Sequence, residues 1–486
     1  MQEQTLEEIA KRRGIFWQSS SIYGGVSGLY DYAHLGTLIK HKWQNLWRKF
    51  FLSLNDNYFE IEASEIMPKN VFEASGHLES FVDPIVTCEK CQNKERADQI
   101  LEEELSESFE GMDPKELGKL IEKHNIKCSN CGGNLKNAGH FNMMFQLNDD
   151  LFLRPETAQG AYLNFKQEYI ALRKKLPLGL AIIGKAFRNE ISPRNVLIRL
   201  REFTQAELQI FLDPKNMDKH EKFDKIKNEK IKIKFHDEKN GKERTIKKLH
   251  EKFPKFYLYH MLKMQQFYLD KLNIPKEKFR FRELSKEERA FYNKYHLDLE
   301  LNLSDLGFTE MAGLHYRTDH DLKGHNEISS EKLKVNSDGE KIIPHVLEIS
   351  FGVDRNIYGI LDISIDKKEK RSLLKLPKLI APFDASVFPL VSKDGLPKKA
   401  REVKKILENE DFNIFYDEGG SIGKRYRRVD EIGVPAAITI DYDTKENDDV
   451  TIRDRDSMDQ IRTKIEELPK MLKQFINGKP LNKLGS

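Results

Sequence analysis

Four cysteines form the most specific chemical pattern in the sequence. They stand in two C-x2-C pairs and are all the cysteines of the chain: Cys88, Cys91, Cys128 and Cys131. Four thiolates suit a tetrahedral zinc ion, and each pair brings two sulfurs to one ion from a single turn. Because such a site has no open coordination position, we expect a structural zinc, with four free thiols as the alternative. Cysteines spaced for metal rather than for disulfides indicate a reducing compartment, the cytoplasm.

A second pattern is a group of arginines between two apolar stretches. Leu180–Phe187 and Phe203–Leu212 predict two strands of an antiparallel hairpin. The loop that joins them carries four arginines: Arg188, Arg194, Arg199 and Arg201. The sequence has no Walker or Rossmann glycine loop, so a bound nucleotide would be held by side chains. Arginine grips phosphate with two parallel N–H groups, and a phenylalanine can stack on adenine. Taken alone, these residues also suit a solvated charged hairpin.

Length and charge set the frame for these patterns. The chain has 486 residues, which predicts two or three domains, and its net charge is +3. That balance argues against a strongly basic nucleic-acid coat protein and against an acidic disordered tail. The charge is uneven, because Lys215–Arg280 holds 20 Lys and Arg but only 10 Asp and Glu. No apolar run approaches the length of a membrane span, and the N-terminus has no apolar core of a secretory signal.

The remaining sequence predicts an α+β protein. Leu38–Leu54 has the spacing of an amphipathic helix, and Ala97–His124 predicts helices between the cysteine pairs. Residues 213–300 predict a Lys-rich, mainly helical insertion, Pro344–Leu361 predicts a buried strand that runs into a helix, and residues 383–476 alternate strands with helices. The predicted divisions are 1–84, 85–140 (zinc-binding insertion), 141–213, 214–297 (Lys-rich insertion), 298–376 and 377–486.

Short motifs in these segments resemble those of a known protein family. FRNE at Phe187–Glu190, a long loop and then REF resemble motif 2 of the class II aminoacyl-tRNA synthetases, and GVDR at Gly352–Arg355 resembles their motif 3. Further blocks, in order along the chain, resemble one member family, the dimeric type of glycyl-tRNA synthetase. They are SIYGG (Ser21–Gly25), FNMMF (Phe141–Phe145), LRPETAQG (Leu153–Gly160), GKAFRNEISPRN (Gly184–Asn195), RTDHDL (Arg317–Leu322) and GSIGKRYRR (Gly420–Arg428).

The resemblance implies a fold and an activity. The fold would be a class II catalytic core, built on an antiparallel sheet with insertions, and a C-terminal α/β anticodon-binding domain. The activity would be the ATP-dependent attachment of glycine to tRNA(Gly) through a glycyl-adenylate. The implied cofactors are Mg²⁺ and structural Zn²⁺, with ATP as a substrate. A homodimer is also implied, because Pro68 falls where motif 1 builds the interface. No membrane partner is expected.

The motif matches assign an ATP site. Arg188 would hold the α-phosphate and Arg355 the γ-phosphate, and these two are the catalytic candidates. Phe203 would stack on adenine, Glu190 would contact it, and Glu310 would be a Mg²⁺ ligand. The remaining residues implied for ATP binding are Asn189, Ile198, Arg199, Leu200, Arg201, Glu202, Met311, Gly352, Val353 and Asp354.

The resemblance also assigns a glycine site. Because glycine has no side chain, only its ammonium and carboxylate can be bound, and acidic residues at family positions would surround the ammonium: Glu156, Glu207 and Glu348. The other residues implied at this site are Arg96, Phe203, Thr204, Gln205, Ala206, Ile349, Ser350, Phe351 and Gly352.

Two regions are candidates for contact with tRNA. In the C-terminal domain, a basic cluster could pair with phosphate: Lys424, Arg425, Arg427 and Arg428. The basic stretch Lys215–Arg280 suggests the acceptor arm of tRNA as its partner, and a solvated helical insertion is the alternative.

Rival interpretations remain at this point. A non-catalytic, synthetase-like tRNA-binding or regulatory protein should have lost Arg188 or Arg355, and both are present. A zinc-dependent nucleic-acid-binding protein would explain the cysteines but not the synthetase motifs. HLGT at His34–Thr37 is similar to the HIGH box of class I synthetases, but without the second loop of that class we interpret His34 as a turn or interface residue.

Overall fold

The computed structural model describes residues 5–107, 109, 111–191, 193, 195–286, 288–289, 293–368 and 371–484. In this part of the chain a nine-stranded sheet carries the catalytic-core motifs, and a five-stranded sheet forms the C-terminal domain. The predicted α+β class is confirmed. No helix among the described residues is long and apolar enough to cross a membrane.

The N-terminal part packs one long helix against the central sheet. This helix was expected to begin at Leu38, but it begins at His34, whose ring lies against Gly14. Trp43, Trp47 and Phe51 repeat at a spacing of four and are fully buried. The elements of this part are α1 (Leu6–Arg13), β1 (Phe16–Gln18), β2 (Tyr30–Tyr32), α2 (His34–Phe51), β3 (Tyr58–Glu60), β4 (Ile66–Pro68), α3 (Lys69–Ala74) and α4 (His77–Ser80).

The segment that holds the cysteines folds as a small unit with its own core. Two helices lie between the cysteine pairs, as predicted, and the side chain of Asp113 caps the second by accepting from the Lys115 N–H at 2.9 Å. The elements are β5 (Val82–Cys88), β6 (Lys94–Arg96), α5 (Ala97–Leu105), α6 (Pro114–Lys123), β7 (Leu135–Asn142), β8 (Phe145–Gln146) and β9 (Leu151–Leu153). The last two strands are short: β9 pairs with β4, and β8 pairs with β9.

The central sheet takes its strands from residues 58–352. The elements from 154 to 374 are α7 (Ala158–Ala171), β10 (Leu178–Phe187), β11 (Glu202–Leu212), α8 (Phe223–Ile226), β12 (Lys230–Lys234), β13 (Lys242–Thr245), α9 (Ile246–Leu249), α10 (Lys255–Gln266), β14 (Phe279–Glu283), β15 (Tyr295–Leu303), β16 (Gly307–Thr318), α11 (His320–Ser329), β17 (Val335–Ser337), β18 (Glu340–Ile342), β19 (His345–Gly352), α12 (Val353–Ser364), β20 (Ile365–Lys368) and β21 (Arg371–Leu374). The sheet order is β13-β12-β14-β15-β16-β19-β11-β10-β3. The predicted hairpin is β10–β11, and its strands pair antiparallel.

The pleat gives the sheet a polar face and an apolar face. On β11 three side chains point to the polar face: Gln205, Glu207 and Gln209. The alternating ones are fully buried in the apolar core under α2: Ala206, Leu208 and Ile210. The register places Glu207 opposite Ser350, and Glu348 lies between Gln209 and His315. The polar side chains of three adjacent strands therefore meet on one face.

The Lys-rich segment 214–297 differs from its prediction as a mainly helical insertion. Strands β12, β13 and β14 extend the central sheet, and α10 buries Tyr257 and Met261 in the main core. The sequence of Lys230–Lys234 is KIKIK, and this alternation is typical of a strand. Both isoleucines are fully buried. A count of charges alone does not reveal the pattern. Many of its basic groups are ion-paired, among them Lys215–Glu340, Lys252–Glu283 and Arg280–Glu300.

The C-terminal domain has the predicted α/β alternation. Its sheet has the order β23-β22-β24-β25-β26, with the first three strands parallel and the rest antiparallel. Its elements are β22 (Ala385–Pro389), α13 (Leu396–Asn409), β23 (Ile414–Tyr416), α14 (Ile422–Glu431), β24 (Ala436–Ile440), α15 (Tyr442–Asn447), β25 (Asp449–Asp454), β26 (Gln460–Lys464) and α16 (Leu468–Ile476).

Candidate active site

A cavity lies over the polar face of the central sheet, where β11, β16 and β19 are neighbours. It brings together residues predicted from separate motifs. The predicted residues that line it are Glu156, Arg188, Glu190, Ile198, Arg199, Leu200, Phe203, Thr204, Gln205, Glu207, Glu310, Glu348, Ser350, Gly352, Asp354 and Arg355. This convergence makes the cavity the candidate active site.

One wall of the cavity is a buried charge network around Arg317. Its guanidinium lies 3.1 Å from the Glu348 carboxylate, 3.7 Å from that of Glu156 and 2.8 Å from that of Asp321. Burial would raise the pKa of Glu156 and of Glu348, but Arg317 together with a neighbouring histidine, His77 for Glu156 and His315 for Glu348, outweighs burial and lowers the pKa of both. Both glutamates are therefore ionised at neutral pH.

Glu207 lies beside this network but has no ion-pair partner among the described residues. Its carboxylate accepts hydrogen bonds from the hydroxyls of Thr157 and Ser350, both at 2.6 Å. Burial and the nearby charges of Glu348 and Glu156 raise the pKa of Glu207 to about 7. A cation placed between these carboxylates would stabilise the ionised form of Glu207.

Arg188 and Phe203 stand together at the base of the hairpin loop. The Arg188 guanidinium lies 5.2 Å from the Phe203 ring centroid and 5.3 Å from that of Phe81, and its Nε donates to the Pro155 carbonyl at 3.2 Å. With respect to the residues that the structure describes, most of its side-chain N–H groups thus stay available to an anion. Arg194, also in this loop, lies outside the described residues.

Arg355 lies in the first turn of the helix α12, at the other end of the cavity. Its guanidinium is 2.8 Å from the Glu310 carboxylate, and its Nε donates to the Ile198 carbonyl at 2.9 Å. Glu310 raises the pKa of Arg355, and Arg355, against the effect of burial, lowers the pKa of Glu310. Because the Glu310 side chain is 48% exposed, its carboxylate remains accessible to a further cation.

Asp354, predicted to bind ATP, lines the cavity and is also held by three hydrogen bonds within the protein. Its carboxylate accepts from the Tyr32 hydroxyl at 2.7 Å, from the Lys40 Nζ at 2.8 Å and from the Thr204 N–H at 2.5 Å. Burial would raise the pKa of Asp354, but Lys40 lowers it. Asp354 therefore fixes the start of α12 to β11 and α2.

Several residues predicted for the site direct their side chains away from the cavity, mainly because consecutive strand residues face opposite sides. The side chains that point into the apolar core, away from the cavity, are Met311, Ala206, Ile349, Phe351 and Val353. A β-strand repeats every two residues, so a contiguous motif contributes only alternate side chains to one face. Phe351, for example, stacks on Tyr268 at 5.9 Å between ring centroids, below the sheet.

Four further predicted residues do not line the cavity. Arg96 is held by Asp83 at 2.8 Å and by Asp98, in the cysteine-bearing unit. Arg201 donates through Nε to the Glu190 carbonyl at 2.8 Å. The other two lie at the ends of the hairpin: Asn189, whose N–H donates to the Met143 carbonyl, and Glu202, which pairs with Lys185.

The four cysteines come together as predicted. The sulfurs of Cys88 and Cys131 are 3.5 Å apart and those of Cys91 and Cys128 are 3.6 Å apart, which is too far for disulfides. Two ligand sulfurs on one zinc are about 3.8 Å apart, so the cluster fits that ion. Gly133 lies over the sulfurs, and a Cβ there would be 2.9 Å from Cys88 Sγ.

The basic cluster of the C-terminal domain is only partly available. Arg425, predicted to contact tRNA, is 1% exposed and donates to the backbone carbonyls of Pro389, Leu390 and Gly420. Arg428 is exposed but pairs with Asp417 at 2.6 Å. The remaining members of the cluster, Lys424 and Arg427, are exposed on α14.

The residue types alone do not identify several members of the site. Arg317 stands in the RTDHDL block near the end of β16 and pairs with Asp321 in the first turn of α11, a contact that the strand-to-helix turn between them produces. The cavity also includes His296 and His315, which no motif marks. Their position follows from the strand register, which places them directly opposite one another.

Comparisons with known proteins agree with this geometry. Residues 141–364 match the family described as the tRNA synthetase class II core domain (G, H, P, S and T), and residues 384–475 match the anticodon binding domain. The glycine–tRNA ligase of Pyrococcus furiosus is 40% identical over 97% of this chain and 99% of its own length. That of Methanocaldococcus jannaschii is 36% identical over 96% of this chain and 98% of its own length. The chain belongs to the glycine–tRNA ligase family of class II tRNA synthetases.

Proposed function

We propose that this protein activates glycine with ATP and transfers it from the glycyl-adenylate to tRNA(Gly). The observation that carries the proposal is the meeting, in one cavity, of a carboxylate cluster with Arg188 and Phe203 on one side and Arg355 on the other. Attack of a carboxylate on an α-phosphate needs positioning and charge neutralisation more than proton transfer. The cavity offers groups of both signs for that task.

The carboxylates are the proposed site of the glycine ammonium. Glu156 and Glu348 are balanced by Arg317, whereas Glu207 has two hydroxyl donors and no cation partner within the described part of the chain. An ammonium next to Glu207 would supply the missing charge and lower its pKa. Because contact alone discriminates weakly against one extra methyl group, rejection of larger amino acids depends on how tightly these strands close around the ammonium.

Arg188 and Arg355 are the proposed phosphate ligands. Arg188 would hold the α-phosphate and the glycine carboxylate while Phe203 stacks on adenine, and Arg355 would hold the γ-phosphate. Glu310 is the proposed Mg²⁺ ligand, since its exposed carboxylate suits a hard cation. Mg²⁺ would spread the charge of the triphosphate.

We propose further assignments outside the cavity. The four cysteines hold a structural zinc, whose role is to fold the unit that spans residues 85–140. Lys424, Arg427 and Arg428 contact tRNA. The chain forms a homodimer through the region of β4, β9 and α7, where Ile66, Leu151 and Ile170 are exposed. Four reduced cysteines suit a cytoplasmic protein.

The test of the activity is ATP–pyrophosphate exchange with purified, metal-replete protein. We expect exchange that depends on glycine and not on alanine or serine, followed by acylation of tRNA(Gly). Exchange with another amino acid would refute the assignment of glycine. Folded protein that binds tRNA but supports no exchange would favour the non-catalytic alternative.

A further inference from the structure

A His–Asp–His cluster lies at the cavity, which both of its histidines line, and has no part in the proposed function. His296 and His315 are directly opposite each other on β15 and β16, and Asp298 follows His296 by two residues on the same face. One potential ligand atom from each of the three side chains lies within 4.8 Å of the others. The two imidazole rings are 4.2 Å apart between centroids and are nearly perpendicular.

The spacing of these side chains matches that of ligands on one ion. His296 Nε2 is 3.3 Å from a carboxylate oxygen of Asp298. Two nitrogen or oxygen ligands on a tetrahedral zinc, each at about 2.0–2.1 Å from the ion, are about 3.3 Å apart. The cluster therefore needs little rearrangement to coordinate a metal.

Outer hydrogen bonds direct both imidazoles toward the cluster. His315 Nδ1 faces the Glu348 carboxylate, and its Nε2 is buried without a hydrogen-bond partner in the described residues. His296 Nδ1 lies 3.2 Å from the side-chain amide of Asn293, whose oxygen is likewise buried and unpartnered. The oxygen and nitrogen of the Asn293 amide change places when the amide is rotated by half a turn. The oxygen then accepts a hydrogen bond from the His296 Nδ1–H. Both Nε2 atoms then carry lone pairs, the arrangement typical of metal-ligating histidines.

A glycine makes room for this arrangement. Gly313 is opposite Asp298 in the strand register, and the His315 ring lies over it. A Cβ at position 313 would lie 2.3 Å from His315 Nε2. Any other residue there would push the imidazole away from the cluster.

We propose that His296, Asp298 and His315 bind a divalent transition-metal ion of the zinc class through two imidazole nitrogens and one carboxylate oxygen. Imidazole ligands favour zinc and its neighbours over magnesium, so this site differs in chemistry from Glu310. It also differs from the cysteine cluster, because three protein ligands leave a coordination position open. The cavity that these histidines line supplies that position. The inference stands whether or not the proposed roles of the cavity residues hold.

The test is titration of the metal-free full chain with Co²⁺, followed by visible and near-ultraviolet absorption. We expect two equivalents of Co²⁺ to bind. The equivalent at the cysteines should show thiolate charge-transfer bands, and the second equivalent, at His296, Asp298 and His315, should show d–d bands without them. Asp298→Asn and His296→Ala should abolish the second equivalent and keep the first. His236→Ala, which removes an exposed imidazole paired with Glu283, is the matched control and should keep both.

Further variants keep the test decisive. Gly313→Ala retains all three ligands and should lower the affinity for the second equivalent of Co²⁺ at least tenfold. Cys91→Ser with Cys131→Ser should remove the charge-transfer bands and leave the d–d bands. A thousandfold excess of Mg²⁺ should not displace the second equivalent. The proposal is overturned if the wild-type chain binds a single equivalent, or if Asp298→Asn still binds two.

Discussion

The central sheet and the helix α14 both carry runs of residues that match family motifs, but the two elements expose different members of these runs to a ligand. On β11 and β19, alternate residues line the cavity, and the residues between them form the apolar core. On α14, Arg425 turns inward and binds three backbone carbonyls, while Lys424 and Arg427 face outward. In both regions the backbone period decides which residues can reach a ligand.

The two regions also differ in how their charges are held. In the cavity, Arg317, Glu156, Glu348 and Asp321 are buried and fix one another, so their positions do not depend on a ligand. On α14 the outward-facing charges are exposed, and long exposed side chains bind phosphate weakly and in a salt-dependent way. Substitutions in the sheet should therefore have large effects, and substitutions of the exposed residues on α14 small ones.

The largest effect is expected at Arg188. Arg188→Ala should lower glycine-dependent ATP–pyrophosphate exchange by about 10³-fold, because it removes the donor proposed to neutralise the developing charge. The melting temperature should change little. Arg401→Ala removes an arginine from the C-terminal domain that is 55% exposed, and it is the control. An unchanged exchange rate in Arg188→Ala would contradict the assignment of Arg188 as the ligand of the α-phosphate.

Adjacent residues on β19 should separate stability from binding. Phe351→Ala should lower the free energy of unfolding by about 3–5 kcal/mol, because it empties the core below the sheet. Ser350→Ala should change that free energy by about 1 kcal/mol but raise the KM for glycine, since its hydroxyl donates to Glu207. Denaturant titration and exchange kinetics measure the two effects. Equal loss of stability in both variants would contradict the assignment of the two faces.

Glu207 should make glycine binding depend on pH. Its pKa of about 7 means that the free site takes up a proton as the pH falls from 8 to 6, and a protonated Glu207 attracts an ammonium less. The KM for glycine should therefore rise as the pH falls through 7. Glu207→Gln should flatten this profile and raise the KM at pH 8. A pH profile in Glu207→Gln that matches the wild type would assign the titration to another group.

The same pKa has a consequence for stability. The folded state holds the proton of Glu207 more tightly than the unfolded chain, so this group's contribution to stability falls as the pH rises from 4.5 through 7. At pH 8, Glu207→Gln should stabilise the glycine-free protein by about 1–3 kcal/mol. Thermal unfolding at pH 5 and pH 8 measures the difference. A variant no more stable than the wild type at pH 8 would contradict the raised pKa.

The smallest effects are expected at the exposed basic residues of α14. Lys424→Glu with Arg427→Glu should reduce the rate of tRNA charging several-fold at low salt, with the difference shrinking at high salt. Exchange without tRNA should be unaffected. Arg425→Ala should instead destabilise the C-terminal domain, because it leaves buried carbonyls without donors. Equal charging defects at all salt concentrations would contradict an electrostatic role of this surface.

The sequence was sufficient to predict the fold class, the hairpin β10–β11 and the two helices between the cysteine pairs. It also identified Arg188 and Arg355, which lie at the two ends of the cavity. These features follow from local patterns or contiguous motifs. It was insufficient where the answer depends on residues far apart in the chain. Arg317 forms an ion pair with Glu348, and Asp354 is held by hydrogen bonds from Tyr32 and Lys40. The Lys-rich segment was misjudged because charge count says nothing about strand pairing with β15.

The most direct test of the account is a crystal structure with a non-hydrolysable glycyl-adenylate analogue. We expect the ammonium within hydrogen-bond distance of Glu207 and at least one of Glu156 and Glu348, the adenine stacked on Phe203, and the phosphate mimic on Arg188. An analogue bound in this cavity with its ammonium away from all three carboxylates, or bound elsewhere on the chain, would contradict the central claim.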